Sequence, residues 1–310
     1  MANEIRIAVI GQAAFGEQVL KALIDNNENV VAVFSPPDKE GRDYDPLKKA
    51  ALESNTPTYQ FSRMRDNGAI ETFLSLDTDL CVMAFVTDIV PDKILEAPSI
   101  GTIQYHPSLL PKHRGPSSIN WPIINGEKET GLTIFWPDKG LDTGPILLQK
   151  STIIEENDTL GSIYFGRLFP MGVKAMVEAV ELVRRGEAPR IDQNDKIATY
   201  EGWCRQEDVI INWNDNIDNV YNMIRGSDPS PGAGSTYKGD GIRLFKASKY
   251  LQEGGPTPGT VTDITEETFS VQALGGCVRV GRVQPRGSAK IMAPEWTSLV
   301  GLGVGDIFGI

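Results

Sequence analysis

The sequence predicts an α/β chain, a doubly wound and mainly parallel sheet followed by a small β-rich barrel or meander. Three observations carry this prediction. Up to residue 106, short apolar runs alternate with amphipathic stretches in units of about 25–30 residues, the rhythm of a parallel sheet with crossover helices. Near residue 200 the rhythm changes. There GSDPSPGAG, rich in Gly, Pro and Ser, precedes closely spaced short strands with glycine turns. The chain, at 310 residues, is also long enough for two moderate domains. The expected boundary lies near 203–206, giving a first domain over 1–203 and a second over 204–310.

The elements follow in order. IRIAVI (5–10) is a short β-branched strand ended by Gly11. GQAAFGEQVLKALIDN then places Phe15, Val19, Leu20 and Leu23 on one helical face. VVAVFS (30–35) stops at the breaker pair Pro36-Pro37. A helix begins near Asp45-Pro46 and runs within 43–54, followed by a short strand in TPTYQF. Residues 68–75 are weakly helical, LCVMAF (80–85) is a buried strand, 91–96 a short helix, and GTIQYH (101–106) the next strand. Ser117 or Ser118 is expected to cap a helix through Ile124. GLTIFW and ILLQKSTII read as strands around the turn DKGLDTGP. Asp158 is the expected cap of a long helix carrying Leu160, Ile163, Met176, Val180 and Val183. Pro170 should kink it, and Arg184-Arg185-Gly186 should end it. Asn157-Asp158-Thr159 has the form of a glycosylation acceptor but is read as part of that cap. A helix near 215–225 and the strands GIRLFKASKY, GTVTDI, TFSVQAL and CVRVGRV complete the chain.

Composition excludes several classes. No stretch approaches the ~20 apolar residues of a membrane span. MANEIRIAVIG lacks a basic leader, so no signal peptide is expected. Cys81, Cys204 and Cys277 stand far apart, against both a disulfide framework and a Cys/His metal site, and they fit a cytoplasmic, reducing home. A formal charge of −11 opposes a broad nucleic-acid-binding face. No obligate protein partner is evident.

Only two histidines exist, His106 and His113, seven residues apart in YHPSLLPKHRG. His106 closes a buried strand at its carboxyl end, where open α/β sheets bind ligands. A histidine there is suited to moving protons, although a purely structural histidine fits the local sequence equally well. His113, between Lys112 and Arg114, reads as an exposed basic residue. The turn Asp138-Lys139-Gly140-Leu141-Asp142-Thr143-Gly144 reads first as a Gly/Asp turn. If the fold brings Asp142 to His106, the two become an acid–base unit. Gly11-x4-Gly16 lacks the middle glycine and the following acidic residue of a dinucleotide fingerprint, so a tight strand-to-helix turn is favoured and NAD is not expected.

HPSLLPKHRG followed by GLDTGPIL resembles the enzymes that use 10-formyltetrahydrofolate. The family includes methionyl-tRNA formyltransferase, glycinamide ribonucleotide transformylase, sugar N-formyltransferases and the N-terminal hydrolase domain of 10-formyltetrahydrofolate dehydrogenase. IAVIGQAAFGEQV, PPDKEGRDYDPL, TIFWPDKGLDTG, TYEGW and IRGSDPSPGA resemble that hydrolase domain most, so the likeness spans nearly the whole chain. It implies a Rossmann-like formyltransferase domain that binds the folate, then an open-barrel C-terminal domain. It carries the catalytic histidine to His106 and the catalytic aspartate to Asp142. Gln104 stands where an asparagine is usual, keeping the amide but adding a methylene. Folate contacts are expected at Phe85, Ile89, Val90, Leu141 and Asp142, with no metal.

The resemblance implies removal or transfer of the formyl group, most of all hydrolysis to tetrahydrofolate and formate. Transfer to an amine and a non-catalytic folate-binding module are the alternatives. The chain ends at LGVGDIFGI without a carrier module or aldehyde-dehydrogenase domain, so only the formyl-moving half-reaction is expected. Residues 207–310 hold nine Lys and Arg against twelve Asp and Glu, a net of −3. That disfavours a tail that grips tRNA, although Lys112, His113 and Arg114 could supply a local basic patch.

Overall fold

The computed structural model describes residues 5–309. The chain opens with β1 (Arg6–Gly11), α1 (Ala13–Asp25), β2 (Asn29–Ser35), α2 (Pro46–Glu53), β3 (Thr58–Gln60), α3 (Asn67–Leu74), β4 (Leu80–Ala84), α4 (Asp92–Leu95) and β5 (Gly101–His106). It continues through α5 (Asn120–Ile124), β6 (Glu129–Phe135), β7 (Ile146–Ile153), α6 (Leu160–Ile163) and α7 (Phe169–Arg185). After these come α8 (Ile217–Gly226), β8 (Ala233–Tyr237), β9 (Asp240–Leu251), β10 (Val261–Ile264), β11 (Phe269–Ala273), β12 (Gly276–Pro285), β13 (Ile291–Met292), α9 (Ala293–Val300) and β14 (Phe308–Gly309).

Contacts divide the described residues into two units. One holds 5–114, Gly131–Ser151 and Arg167–Tyr200. The other holds Gly115–Thr130, Thr152–Gly166 and the tail from Glu201. A single boundary at 203/204 does not anticipate the two earlier segments that join the tail.

In the first unit the sheet order is β3-β2-β1-β4-β5-β6-β7. Strands β1 to β5 pair in parallel, and β6 runs antiparallel to β5. Both faces are covered because successive residues of β1 face opposite ways. Ile7 and Val9 join one core with Phe15, Leu20 and Met176, while Ala8 and Ile10 join another with Phe34, Phe73 and Ile94. Gly11 ends β1 against β4, where a Cβ would lie 2.3 Å from the Ala84 carbonyl oxygen. That crowding explains the glycine without any nucleotide.

In the second unit the order is β10-β11-β12-β9-β8-β14, with β13 beside β12, and neighbouring strands pair antiparallel. The sheet curls until its ends meet. Val261 N donates to Asp306 O at 2.8 Å, and Phe308 N to Gly259 O at 2.8 Å. The expected small barrel is therefore present, with β8, β13, β14 and α9 added to the strands legible in the sequence.

Two helix starts differ from expectation. Helix α5 begins only at Asn120, with Ile119 as a cap that makes no side-chain bond; Ser117 Oγ instead accepts from Cys204 N at 2.9 Å. Thr159, not Asp158, caps α6 in a capping box with Ser162, and Asp158 braces it by accepting from Ser162 Oγ at 2.9 Å. At Pro170 the run from Leu160 to Arg185 is interrupted by a π-helical turn, Tyr164–Leu168. Proline has no N–H for the carbonyl four residues back, so the preceding turn widens.

Candidate active site

His106 is the last residue of β5, where Gln104, Tyr105 and His106 pair with Phe135, Ile134 and Thr133 of β6. The chain then turns at once, since Ser108 N donates to His106 O at 2.9 Å. Thr133, fully buried on β6, pins this loop: its Oγ1 donates to Ser108 O at 2.7 Å and accepts from Leu110 N at 3.1 Å. Gln149 Nε2 adds bonds to Leu110 O and Thr133 Oγ1 at 2.8 and 2.9 Å.

The imidazole of His106 is 5% exposed, and its Nε2 lies 2.8 Å from His113 O. A carbonyl only accepts, so Nε2 carries the hydrogen, and the assignment follows from the partner. Nδ1 is thereby turned to the carboxylate of Asp142, with Oδ2 at 3.7 Å and both side chains buried. At that separation the two form an ion pair only when the imidazole is protonated, and the gap is too long for a direct hydrogen bond. The fold thus brings together two residues 36 positions apart in sequence, as the acid–base reading required.

Asp142 takes φ 57° in the turn between β6 and β7. The turn is held internally by Asp138 Oδ1, which accepts from Gly140 N and Thr143 Oγ1 at 3.0 and 2.6 Å. Gly144 lets it fold back closely, since a Cβ there would sit 1.8 Å from Trp136 O. The decisive brace is Gln193, whose Nε2 donates to Asp142 O and Gly144 O at 2.9 and 2.8 Å. Its Oε1 accepts from Arg114 Nε and an Arg114 terminal nitrogen at 3.1 and 2.8 Å. One amide therefore ties the histidine loop to the aspartate turn.

The exposed basic patch expected at Lys112, His113 and Arg114 is not there. His113 is 4% exposed, and Arg114 is buried with a 2.7 Å bond to Asp195; only Lys112 is exposed. The cause is distant in sequence: Thr199 Oγ1 accepts from His113 N at 2.8 Å, and Arg114 N donates to Thr199 O at 3.1 Å. Gln193, Thr199, Thr133 and Gln149 were not foreseen as site residues. Nothing in their local sequence marks them.

The residues anticipated as folate contacts are split. Phe85, Ile89 and Leu141 are exposed apolar side chains, Ile89 at 72% and Leu141 at 55%. Val90 is buried in the core with Met83 and Ile94. Lys139 Nζ, 3.8 Å from Asp92 Oδ2, links the aspartate turn to the helix that follows the 85–91 loop. Gln104 is partly buried between Met83 of β4 and Phe135 of β6. Burial pushes the Cys81 thiol up to about 12, so that sulfur is no nucleophile. Among the described residues, no three His, Cys, Asp or Glu side chains gather as a metal set, and no helix is long and apolar enough to cross a membrane.

This combination, a doubly wound α/β unit with a buried His–Asp pair at a strand end and a separate antiparallel barrel, corresponds to two family models. Residues 5–180 match the formyl transferase model, and residues 204–299 match that of the formyl transferase C-terminal domain. The chain belongs to the formyl transferase family. It is 43% identical over 267 residues to human mitochondrial 10-formyltetrahydrofolate dehydrogenase, a match covering 84% of this chain but 29% of that protein. It therefore spans less than a third of the dehydrogenase relatives it matches. Methionyl-tRNA formyltransferase of Desulforamulus reducens is 34% identical over 98% of both chains. Among solved structures, HypX from Aquifex aeolicus in complex with tetrahydrofolic acid superposes with a TM-score of 0.71 at 19% identity, over 98% of this chain and 49% of that one. At that identity the likeness concerns the fold.

Proposed function

We propose that the protein hydrolyses 10-formyltetrahydrofolate to tetrahydrofolate and formate, with His106 and Asp142 as its catalytic pair. The observation that supports this best is their buried 3.7 Å approach, with His106 Nε2 already committed to His113 O. Nδ1 is then the nitrogen that exchanges protons. Water adds to the formyl carbon, the carbonyl pair moves onto oxygen, and the water proton passes to the Nδ1–carboxylate pair. Collapse breaks the bond to the folate nitrogen, which takes up that proton, and formic acid leaves, giving formate as its remaining proton passes to water. Asp142 serves as proton acceptor rather than orienter, since the His113 carbonyl already fixes the ring.

Gln104 is the candidate donor to the oxyanion, at the same strand end two residues before His106. Phe85, Ile89 and Leu141 offer exposed apolar surface for a pterin, and Val90 supports their loop from beneath. The free cysteines fit a cytoplasmic setting, although relatives bear both cytosolic and mitochondrial names.

Transfer to an amine is the second reading, and the full-length likeness to a methionyl-tRNA formyltransferase favours it. The net −3 of residues 207–310 and the burial of His113 and Arg114 speak against tRNA as acceptor. Incubation with 10-formyltetrahydrofolate alone, following tetrahydrofolate and formate, separates the readings. Release without acceptor is the expected result. Release only on adding methionyl-tRNA, an amino sugar or another amine establishes transfer. Folate binding with no release makes the chain a binding module.

A further inference from the structure

The carboxyl ends of β1, β2 and β4 frame a cavity of about 140 Å³ whose lining includes Gln12, Phe34, Ser35, Phe61, Phe85 and Asp88. It joins the β1–α1 turn to the start of the 85–91 loop, and Gln12 Nε2 donates to Thr87 Oγ1 across it at 3.1 Å. In a doubly wound fold the turn after β1 presents the free N–H groups of a helix, a ready cradle for phosphate. Here that cradle is already filled.

Ala13 N donates to both carboxylate oxygens of Asp45, each at 3.0 Å. The same carboxylate caps α2, with Oδ1 accepting from Leu47 N at 2.9 Å. One negative charge therefore answers two helix N-termini, the placement that the helix dipole favours. Ala13 is held at φ 57°, a left-handed conformation that alanine disfavours, and the paired bonds from Asp45 stabilise it there.

The cavity itself carries no cation. Asp88 is the only charged residue in its lining, and that carboxylate accepts from Met64 N and Ile89 N. Arg63 and Arg65 flank Met64 but are exposed and do not line the space; Lys39 and Arg42 are likewise exposed in the loop after β2. Lys48, near the Pro36 rim, is engaged by Asp38 and by Gln60 Oε1. Ser35 in the lining is buried, and its Oγ has no hydrogen-bond partner among the described residues. A buried hydroxyl left without a partner suits a ligand that brings an uncharged donor or acceptor.

We propose that Asp45 is a specificity-determining residue: outside the cavity lining itself, its carboxylate occupies the anion position at Ala13 N, next in the chain to Gly11 and Gln12 of that lining, and so denies a phosphate-bearing acceptor the amino end of α1. The cavity is left to water or to small molecules without a phosphate. This rests on the reading of the chain as a formyl-moving enzyme, for which phosphorylated amines would then be poor acceptors.

The test measures inorganic phosphate binding to the folate-free protein by calorimetry, at constant ionic strength with chloride as the balancing salt. The unchanged protein is expected to show no saturable phosphate binding. Asp45→Ala frees the Ala13 N–H and removes the charge, and should bind phosphate at least roughly tenfold more tightly, a floor set near the solvent-screened limit of one like charge a few ångströms away. Asp45→Asn keeps an oxygen for both helix ends while removing the charge. It should gain a smaller but measurable affinity, and it carries the test if the alanine variant does not fold. Saturable phosphate binding by the unchanged protein, or no gain in the folded variants, overturns the proposal. Because the readout is phosphate binding, it stands or falls separately from the release of formate.

Discussion

The two units of this chain use buried space differently. The first places polar groups inside: His106, Asp142, Thr133, His113 and Arg114 are all buried, and Gln193 cross-links their segments. The second fills its centre with rings. Tyr237, Phe269, Trp296 and Phe308 lie with centroids 5.4–6.0 Å apart, beneath a sheet whose ends meet at Gly259 and Phe308. A buried imidazole and carboxylate cost desolvation that a core does not need, and their concentration in one unit is what singles it out for the proposed catalytic pair. Ring packing needs no such justification. It is cohesion.

This contrast predicts opposite outcomes for two truncations. Phe308→Ala removes a ring that touches Tyr237, Phe269 and Trp296, and should destabilise the protein by about 3–5 kcal/mol. Turnover per folded molecule should be unchanged. His106→Ala should do the reverse. Loss of the proton-handling group is expected to lower turnover of 10-formyltetrahydrofolate by ~10²–10³, or about 2.7–4 kcal/mol of barrier, with a much smaller change in the urea midpoint. Urea unfolding and steady-state turnover on both variants check the pair. If Phe308→Ala lowers specific activity as much as His106→Ala does, the division of labour is wrong.

Much of the first unit was legible because local pattern and tertiary role agree. Asp45-Pro46 starts a helix, Gly186 at φ 69° ends one, and the runs at β1, β2, β4 and β5 are strands buried on both faces or nearly so. The His106–Asp142 pairing was only a conditional on the residues alone and became an expectation through resemblance, since no periodicity links a strand end to a turn 36 residues later. His113 was misjudged for a related reason. Lys-His-Arg reads as surface, but Thr199 accepts from His113 N while Gln193 and Asp195 accept from Arg114, all some 80 residues on. Thr159 displaced Asp158 as a helix cap because either hydroxyl or carboxylate fits the local sequence, and only the geometry of Ser162 decides.

Gln193 sharpens the comparison at an intermediate scale. It bonds the backbone of the turn that carries Asp142 rather than either side chain of the proposed pair, so under that proposal it is expected to act as a positioning residue. Gln193→Leu removes two bonds to that turn and one acceptor of Arg114, and kcat should fall by roughly tenfold with KM little changed. A structural role alone predicts additivity with His106→Ala. Positioning predicts that the double variant is no slower than His106→Ala by itself, because the geometry Gln193 maintains then has nothing to orient. Additive losses in the cycle exclude the positioning role.

The smallest expected effect compares one half-buried carboxylate from each unit. Asp79 is held below its ordinary value of 3.8, first by the hydrogen bond from Arg6 N at 2.8 Å and then by Ser99 Oγ at 2.7 Å. Asp306 is also held below 3.8, first by the Tyr237 hydroxyl at 2.6 Å and then by Gly303 N at 2.9 Å. A carboxyl whose folded value is depressed contributes stability that is fully present above its unfolded value. That contribution is lost as pH falls from about 3.8 through the lower folded value. Both groups therefore steepen the acid side of the stability curve and leave neutral pH untouched. Asp79→Asn and Asp306→Asn should each flatten the dependence of unfolding free energy on pH below 4, while their slopes at pH 6–8 match the parent. Were either slope below pH 4 to stay unchanged, that hydrogen-bonded carboxylate would not be a source of acid sensitivity in its unit.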